Sequence, residues 1–218
     1  MSIHFILASQ SPRRRQLFGL LGYPFEFMAP DVDEDVHLKA GPAAYVLRTA
    51  RQKAEAVVGA LAPAPEGLRR LVVAADTTVA LEGDILAKPG DDDEARAMLL
   101  ALRGRTHDVH TGVCVFDAAA GRELSAVSTA AVTMRDYSDA EIAAYIATGD
   151  PFDKAGGYAI QHPVFRPVAA LAGCFLAVVG LSLCDLIPLL RELDVPDRFN
   201  PAALVDVHRG FMHAPLDD

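Results

Sequence analysis

The chain of 218 residues carries 20 Lys and Arg against 29 Asp and Glu, a formal charge of −9, with 51% hydrophobic and 22% charged residues. That size and composition suit one large domain, or two small lobes sharing a core, and exclude a disordered chain. So acidic a balance argues against non-specific binding of duplex nucleic acid, and any anionic ligand must be met by a local cluster of positive charge.

No apolar run approaches the ~18–20 residues needed to span a bilayer. The most apolar stretch, 164–188, is broken by Arg166, Pro167, Gly173, Gly180 and Asp185. The opening MSIHFILASQ has no basic region and only a short apolar run, so it does not read as a signal peptide, and a cytoplasmic chain is expected. Three cysteines, Cys114, Cys174 and Cys184, cannot all pair within one chain, and their apolar neighbours suggest buried free thiols in a reducing compartment. No CxxC or HExxH spacing points to zinc.

In chain order, residues 3–8 form a short apolar strand. Ser11 caps a helix over 13–21 that begins near Pro12 and stops at Gly22. A second strand covers 23–28, an acidic loop 29–35, and the longest helix 42–61, where Val46, Leu47, Ala50, Ala54, Val57, Val58 and Leu61 recur at helical spacing. Residues 71–81 are β-like, and 82–84 turn the chain back through Ile85 and Leu86. A helix over 91–102 places Asp92, Asp93 and Glu94 in its first turn. Strands over 109–116 and 124–134 follow, then a helix over 138–148 with Ser138 and Glu141 at capping-box spacing. Short strands are expected at 158–161 and 174–179, and a last helix at 182–193, strained by Pro188. Alternating strands and helices with some hairpins predict a mixed α/β sheet flanked by helices. Residues 1–198 read as one domain of two lobes and 199–218 as a tail.

Five segments carry chemistry. Ser9 and Ser11 with Arg13, Arg14 and Arg15 open a helix, where free backbone N–H groups attract phosphate. Arginines there oppose the helix dipole, which suggests an anion that offsets the cost. The alternative is a solvated basic turn, above all for Arg15. Asp31, Asp33, Glu34 and Asp35 crowd one loop and could hold a divalent cation, although such loops are commonly only solvated. Asp76 interrupts an apolar strand, where a lone carboxylate is costly unless paired, metal-bound or catalytic. Its alternative is a carboxylate satisfied by backbone N–H groups. Lys88 precedes Pro89 at a strand end, a weak signal alone. Asp153 and Lys154 precede Gly156 and Gly157, which allow close backbone approach to a ligand, and Gln161 follows with an amide suited to a base edge or simply to solvent. Together they describe metal-assisted chemistry on a polyphosphate.

With ASQSPRRRQL, PDVDED, AADTTV, ILAKP, LRGRTHDVHTGV and PFDKAGGYAIQ in this order, the chain resembles the Maf family of nucleoside triphosphate pyrophosphatases over residues 3–194. Ser182 stands where that family usually has Pro, and Gln161-His162 replaces a more frequent Gln-Gly. The resemblance implies an elongated twisted mixed sheet, with two lobes around a cleft, related to the inosine triphosphate pyrophosphatases and often dimeric. It implies hydrolysis between the α and β phosphates, with a divalent metal, Mg²⁺ foremost and Mn²⁺ as the alternative. It makes Asp76 the proton acceptor or a metal ligand, and Glu34 the acidic metal-site residue. Ser9, Arg13 and Arg14 match the phosphate-binding loop, and Lys53, Lys88 and Lys154 match basic residues lining the cleft. Arg13, Thr77 and Gln161 fall where the family selects its base, in the pattern of the branch preferring dTTP and UTP. The competing readings are a 7-methyl-GTP or broad modified-nucleotide pyrophosphatase, and a nucleotide-sensing regulator of cell division without turnover. The expected partner is a nucleoside triphosphate, and a homodimer is expected from the family, but no nucleic acid polymer and no membrane.

Overall fold

The computed structural model describes residues 2–32, 41–202 and 205. The strands β1 (Ser2–Leu7), β2 (Phe25–Phe27), β3 (Leu68–Leu81), β4 (Asp84–Leu86), β5 (Thr106–Asp117), β6 (Arg122–Met134) and β7 (Val168–Ala172) form one sheet. Its order is β2-β1-β3-β5-β6-β7, with β4 pairing β3 off this path. β1 is parallel to β2 and β3, and the other pairings are antiparallel, so the expected mixed sheet is observed.

The helices follow local chemistry. In α1 (Pro12–Gly19) Ser11 accepts from the Arg14 N–H, and Leu17 and Phe18 are buried. α2 (Pro42–Ala60) buries Val46, Ala50, Lys53, Ala54 and Val57 along one stripe. α3 (Asp92–Leu102) is capped by Asp91, and α4 (Asp139–Ile146) carries the complete Ser138–Glu141 capping box. Two 3₁₀ turns, Asp150–Asp153 and Ala155–Gly157, lead toward β7. The chain closes with α5 (Phe175–Val179) and α6 (Leu183–Glu192), the second continuing through Pro188.

The two sheet faces bury unequal clusters. Ile6, Ala8, Val72, Ala74 and Cys114 pack under Ala50, Ala54 and Val57 of α2. The opposite face holds the larger core, including Phe5, Phe18, Val73, Leu99, Tyr137, Tyr145 and Leu176.

Two expected strands are corrected. Residues 158–161 pass from extended chain into a turn without pairing, because Tyr158 is directed onto the His107 ring and not along a ladder. Residues 175–179 are helical, closed by Gly180 at φ +132. The strand of this region is β7, six residues earlier, against β6. Its Ala-rich, mostly exposed residues offer no alternation and, apart from Val168, no β-branching. The thiol expectation also changes: Cys114 is buried, but Cys174 is half-buried and Cys184 exposed. The acidic loop from Asp33 onward, with Glu34, and the tail beyond Ala202 except Val205 lie outside the described residues.

Candidate active site

β1 pairs β3 as far as Leu7 opposite Val73, and β4 pairs it from Val79 to Leu81. Between them, residues 74–78 have no strand neighbour on that edge among the described residues, while β5 runs unbroken on the other. The sheet is therefore open at the carboxyl end of β1, the end of a parallel strand where α/β proteins commonly receive ligands. A cavity of about 440 Å³ occupies the break. Successive strand residues point to opposite faces, and Asp76, Thr77, Thr78 and Val79 all line it, so the cavity reaches both sides of the sheet.

On one face stands a buried ion pair. Lys53 Nζ donates to Asp76 Oδ1 at 2.7 Å, with side-chain exposures of 6% and 9%. The cause lies across the ladder. Gly112 of β5 is opposite Asp76, and a Cβ there would lie 2.5 Å from the Val46 carbonyl oxygen of α2. Without that Cβ, α2 settles onto the sheet, and Lys53, seven residues or two turns after Val46, reaches the carboxylate. Asp76 Oδ2 takes no hydrogen bond among the described residues.

On the other face Arg14 is fixed. Its Nε donates to the Gly180 carbonyl at 2.8 Å, and its NH2 group lies 3.4 Å from Thr77 Oγ1. Thr111 Oγ1 donates to the Ala177 carbonyl at 2.8 Å and stands 2.9 Å from Thr77 Oγ1. Thr111 has one proton, so Thr77 donates to Thr111 and accepts from Arg14. Ser9 is buried behind this wall, where its Oγ accepts from the Ser11 N–H at 3.1 Å. Ser11, not Ser9, lines the cavity.

Across the opening, Lys154 Nζ donates to the Asp150 carbonyl at 2.6 Å, to Asp150 Oδ1 at 2.8 Å and to Asp153 Oδ1 at 2.5 Å. Arg13 meets the same Asp153 at 3.5 Å. Burial pushes the Asp150 carboxyl up, but hydrogen bonds from Lys154 and Tyr145 outweigh it and hold the group below its ordinary value. Lys88 is exposed at the rim, with no ion pair among the described residues, and Gln161 lies in an exposed turn on the same cavity. Behind the wall, His107 Nε2 is 2.7 Å from the Tyr158 hydroxyl, and burial lowers the imidazole to about 4, so it is neutral near pH 7.

Arg13, Arg14, Lys53, Asp76, Thr77, Lys88, Lys154 and Gln161 thus line one cavity, in which five cationic side chains face two carboxylates, Asp76 and Asp153. Sequence reasoning missed Gly112, Thr111, Asp150 and the Gly180 carbonyl, which hold the charged groups in place. Only Gly112, the second glycine in LRGRTHDVHTGV, could have signalled such a role, as a gap in a strand pattern.

The sequence profile described as Maf-like protein matches residues 4–193. A dTTP/UTP pyrophosphatase of Anaeromyxobacter sp. (strain Fw109-5) is 46% identical over 200 residues, covering 90% of this chain and 92% of that protein. A protein of the same name from Salinibacter ruber is 45% identical over 192 residues, covering 88% and 91%. Among solved structures, the Staphylococcus aureus Ham1 protein is similar over 61% of this chain and 72% of its own, with 17% identity and a TM-score of 0.41. The chain belongs to the Maf-like protein family.

Proposed function

We propose that this chain is a nucleoside triphosphate pyrophosphatase, cleaving the α–β phosphoanhydride of dTTP and UTP to the monophosphate and pyrophosphate, in the cytoplasm. The observation that carries the reading is the buried Lys53–Asp76 pair opening into a cavity with four further cations. The names of the relatives support the substrate. Among the described residues no helix is long and apolar enough to cross a membrane.

Among the described residues no group of three or more His, Cys, Asp or Glu could hold a metal ion. Asp76 is the one carboxylate there with an oxygen facing the cavity and free of hydrogen bonds among the described residues. That donor set suits Mg²⁺ carried in by the triphosphate, because Mg²⁺ keeps waters and takes one or two carboxylates plus phosphate oxygens. Asp76 would hold it, with Glu34 as the second carboxylate the resemblance names. When bound, such an ion neutralises phosphate charge and acidifies a water.

The chain's own residues do the rest. Lys53 holds one Asp76 oxygen, leaving Oδ2 directed at the cavity to take the proton of a water. Arg14, locked on Gly180, and Lys154, locked on the 3₁₀ turn, present fixed positive charge, and preorganised charge of this kind commonly contributes ~10²–10³ in rate. Lys88 and Arg13 meet the outer phosphates. Gln161 offers a donor and an acceptor to the O/N–H edge of a pyrimidine.

The test is pyrophosphate release from dTTP, UTP, CTP, 5-methyl-UTP and 7-methyl-GTP, with Mg²⁺ and with chelator. Turnover of dTTP and UTP, lost on chelation, is expected. A higher kcat/KM for 7-methyl-GTP would reassign the substrate, and nucleotide binding without pyrophosphate would make the chain a sensor.

A further inference from the structure

Beyond the cavity wall, two thiols stand together. Cys174 Sγ and Cys184 Sγ are 3.4 Å apart, ten residues apart in sequence, at the start of α5 and in the first turn of α6. We propose that Cys174 and Cys184 form an oxidisable dithiol, a modification site that closes to a disulfide on meeting a peroxide or a low-molecular-weight disulfide.

Several features favour the pair. Cys184 is exposed and Cys174 half-buried, so an oxidant can reach them. Cys114 cannot compete: it is buried, and its thiol is pushed up to about 12, chiefly by burial. Cys174 Sγ donates toward Cys184 Sγ, so the two sulfurs already face each other. The mount of Cys184 is firm, because Ser128 and Ser182 both hydrogen-bond Asp185 Oδ2 in the first turn of α6. The family's usual Pro at the Ser182 position has no hydroxyl to make that contact.

The chemistry balances without help from the active site. The thiolate of one cysteine of the pair attacks one oxygen of hydrogen peroxide, giving a sulfenic acid and hydroxide. The sulfur of the other cysteine then attacks the sulfenyl sulfur and displaces a second hydroxide, and the two thiol protons convert both to water. Two thiols are oxidised by two electrons and one peroxide is reduced. A disulfide such as oxidised glutathione gives the same product by two exchanges, releasing two glutathione thiols. In a reducing compartment the bond would be transient.

The loop it would close, residues 174–184, contains α5 and Gly180, whose carbonyl positions Arg14. Oxidation therefore fastens the segment that backs one wall of the cavity.

The test uses the full chain, treated with hydrogen peroxide and, separately, with oxidised glutathione. The intact mass should fall by two hydrogens, and alkylation in denaturant should drop from three thiols to one, reversibly with dithiothreitol. Peptide mapping should join Cys174 to Cys184. Amide exchange across 174–184 should slow by roughly tenfold on oxidation. Cys184→Ser should form no crosslink and carry one glutathione instead, while Cys114→Ser should behave as the parent chain. Three alkylatable thiols after treatment, a crosslink through Cys114, independent oxidation of the two sulfurs, or unchanged exchange would each overturn the proposal. None of these readouts depends on what the cavity hydrolyses.

Discussion

Asp76 and Lys53 are a charge pair in which each group makes the burial of the other tolerable, so substitutions have to be judged against the partner left behind. Asp76→Asn removes the proposed proton acceptor and also takes the carboxylate away from a buried ammonium. Breaking one side of a buried pair costs on the order of 3 kcal/mol, whereas replacing both partners by well-packed neutral groups can be near neutral. The single variant should therefore lose ~10²–10³ in kcat and also unfold at lower urea. The double variant Lys53→Met/Asp76→Asn should recover most of the stability and none of the rate. Denaturation curves and pyrophosphate release on the same samples check this, and a double variant that regains activity would remove Asp76 from the chemistry. At this scale much of the site was legible. An Asp in an apolar strand and arginines at a helix start break local rules, and both residue types line the cavity. Their partners were not legible. The carbonyl of Gly180 and the hydroxyl of Thr111 are ordinary in sequence, and only the folded chain brings them to Arg14 and Thr77.

α2 and β5 meet at Gly112, and that approach sets where Lys53 stands. Gly112→Ala puts a methyl against the Val46 carbonyl, so α2 must move outward, an overpacking cost of about 1–3 kcal/mol. The active-site consequence should exceed the stability loss, because kcat should fall at least ~10-fold as Lys53 withdraws from Asp76. Equal kcat in a destabilised variant would show that the helix position does not matter. The same strand carries His107, neutral and buried against Tyr158, and the sign of its effect on stability follows from its lowered pKa. The unfolded chain binds a proton below about pH 6.5 and the folded chain only below about 4, so this contribution is present above 6.5 and lost as the pH falls between those values. It amounts to on the order of 3 kcal/mol. His107→Gln should flatten the pH dependence of the urea midpoint across that window, and an unchanged slope would place the titration elsewhere. The helices with caps were legible because capping is local: Ser11, Asp91 and Ser138 act within three residues. β7 and α5 were not. The six apolar residues between Gly173 and Gly180 satisfy either period, and the choice is made by β6, distant in sequence, which takes Val168–Ala172 as its partner.

For the whole molecule, the charge of −9 is compatible with the proposed anionic substrate if positive charge is gathered locally. Five cations gather in the cavity, where two carboxylates face them. Two of those cations, Lys154 and Arg13, share Asp153, whose side chain is 67% exposed. On the proposed function, Asp153 holds in the free chain two cations that phosphate would need, so it should compete with the substrate. Asp153→Asn should lower KM for dTTP by roughly two- to fivefold with little change in kcat, since a pair with a largely exposed partner is worth up to about 1 kcal/mol. Salt separates the local field from the global one. Added salt screens the long-range repulsion from the acidic surface within a Debye length of about 10 Å at 0.1 M, but acts less on contacts made inside the cavity. The two effects oppose each other, so kcat/KM should change by less than about threefold between roughly 0.05 and 0.3 M salt. A net-basic binder of nucleic acid would lose affinity steeply over that range, because each neutralised phosphate releases counterions. Steady-state kinetics across the salt series, beside anisotropy of a labelled duplex at the lowest salt, distinguish these cases. A steep decline in kcat/KM, or binding of the duplex, would show that the acidic surface does not shape what this cavity admits.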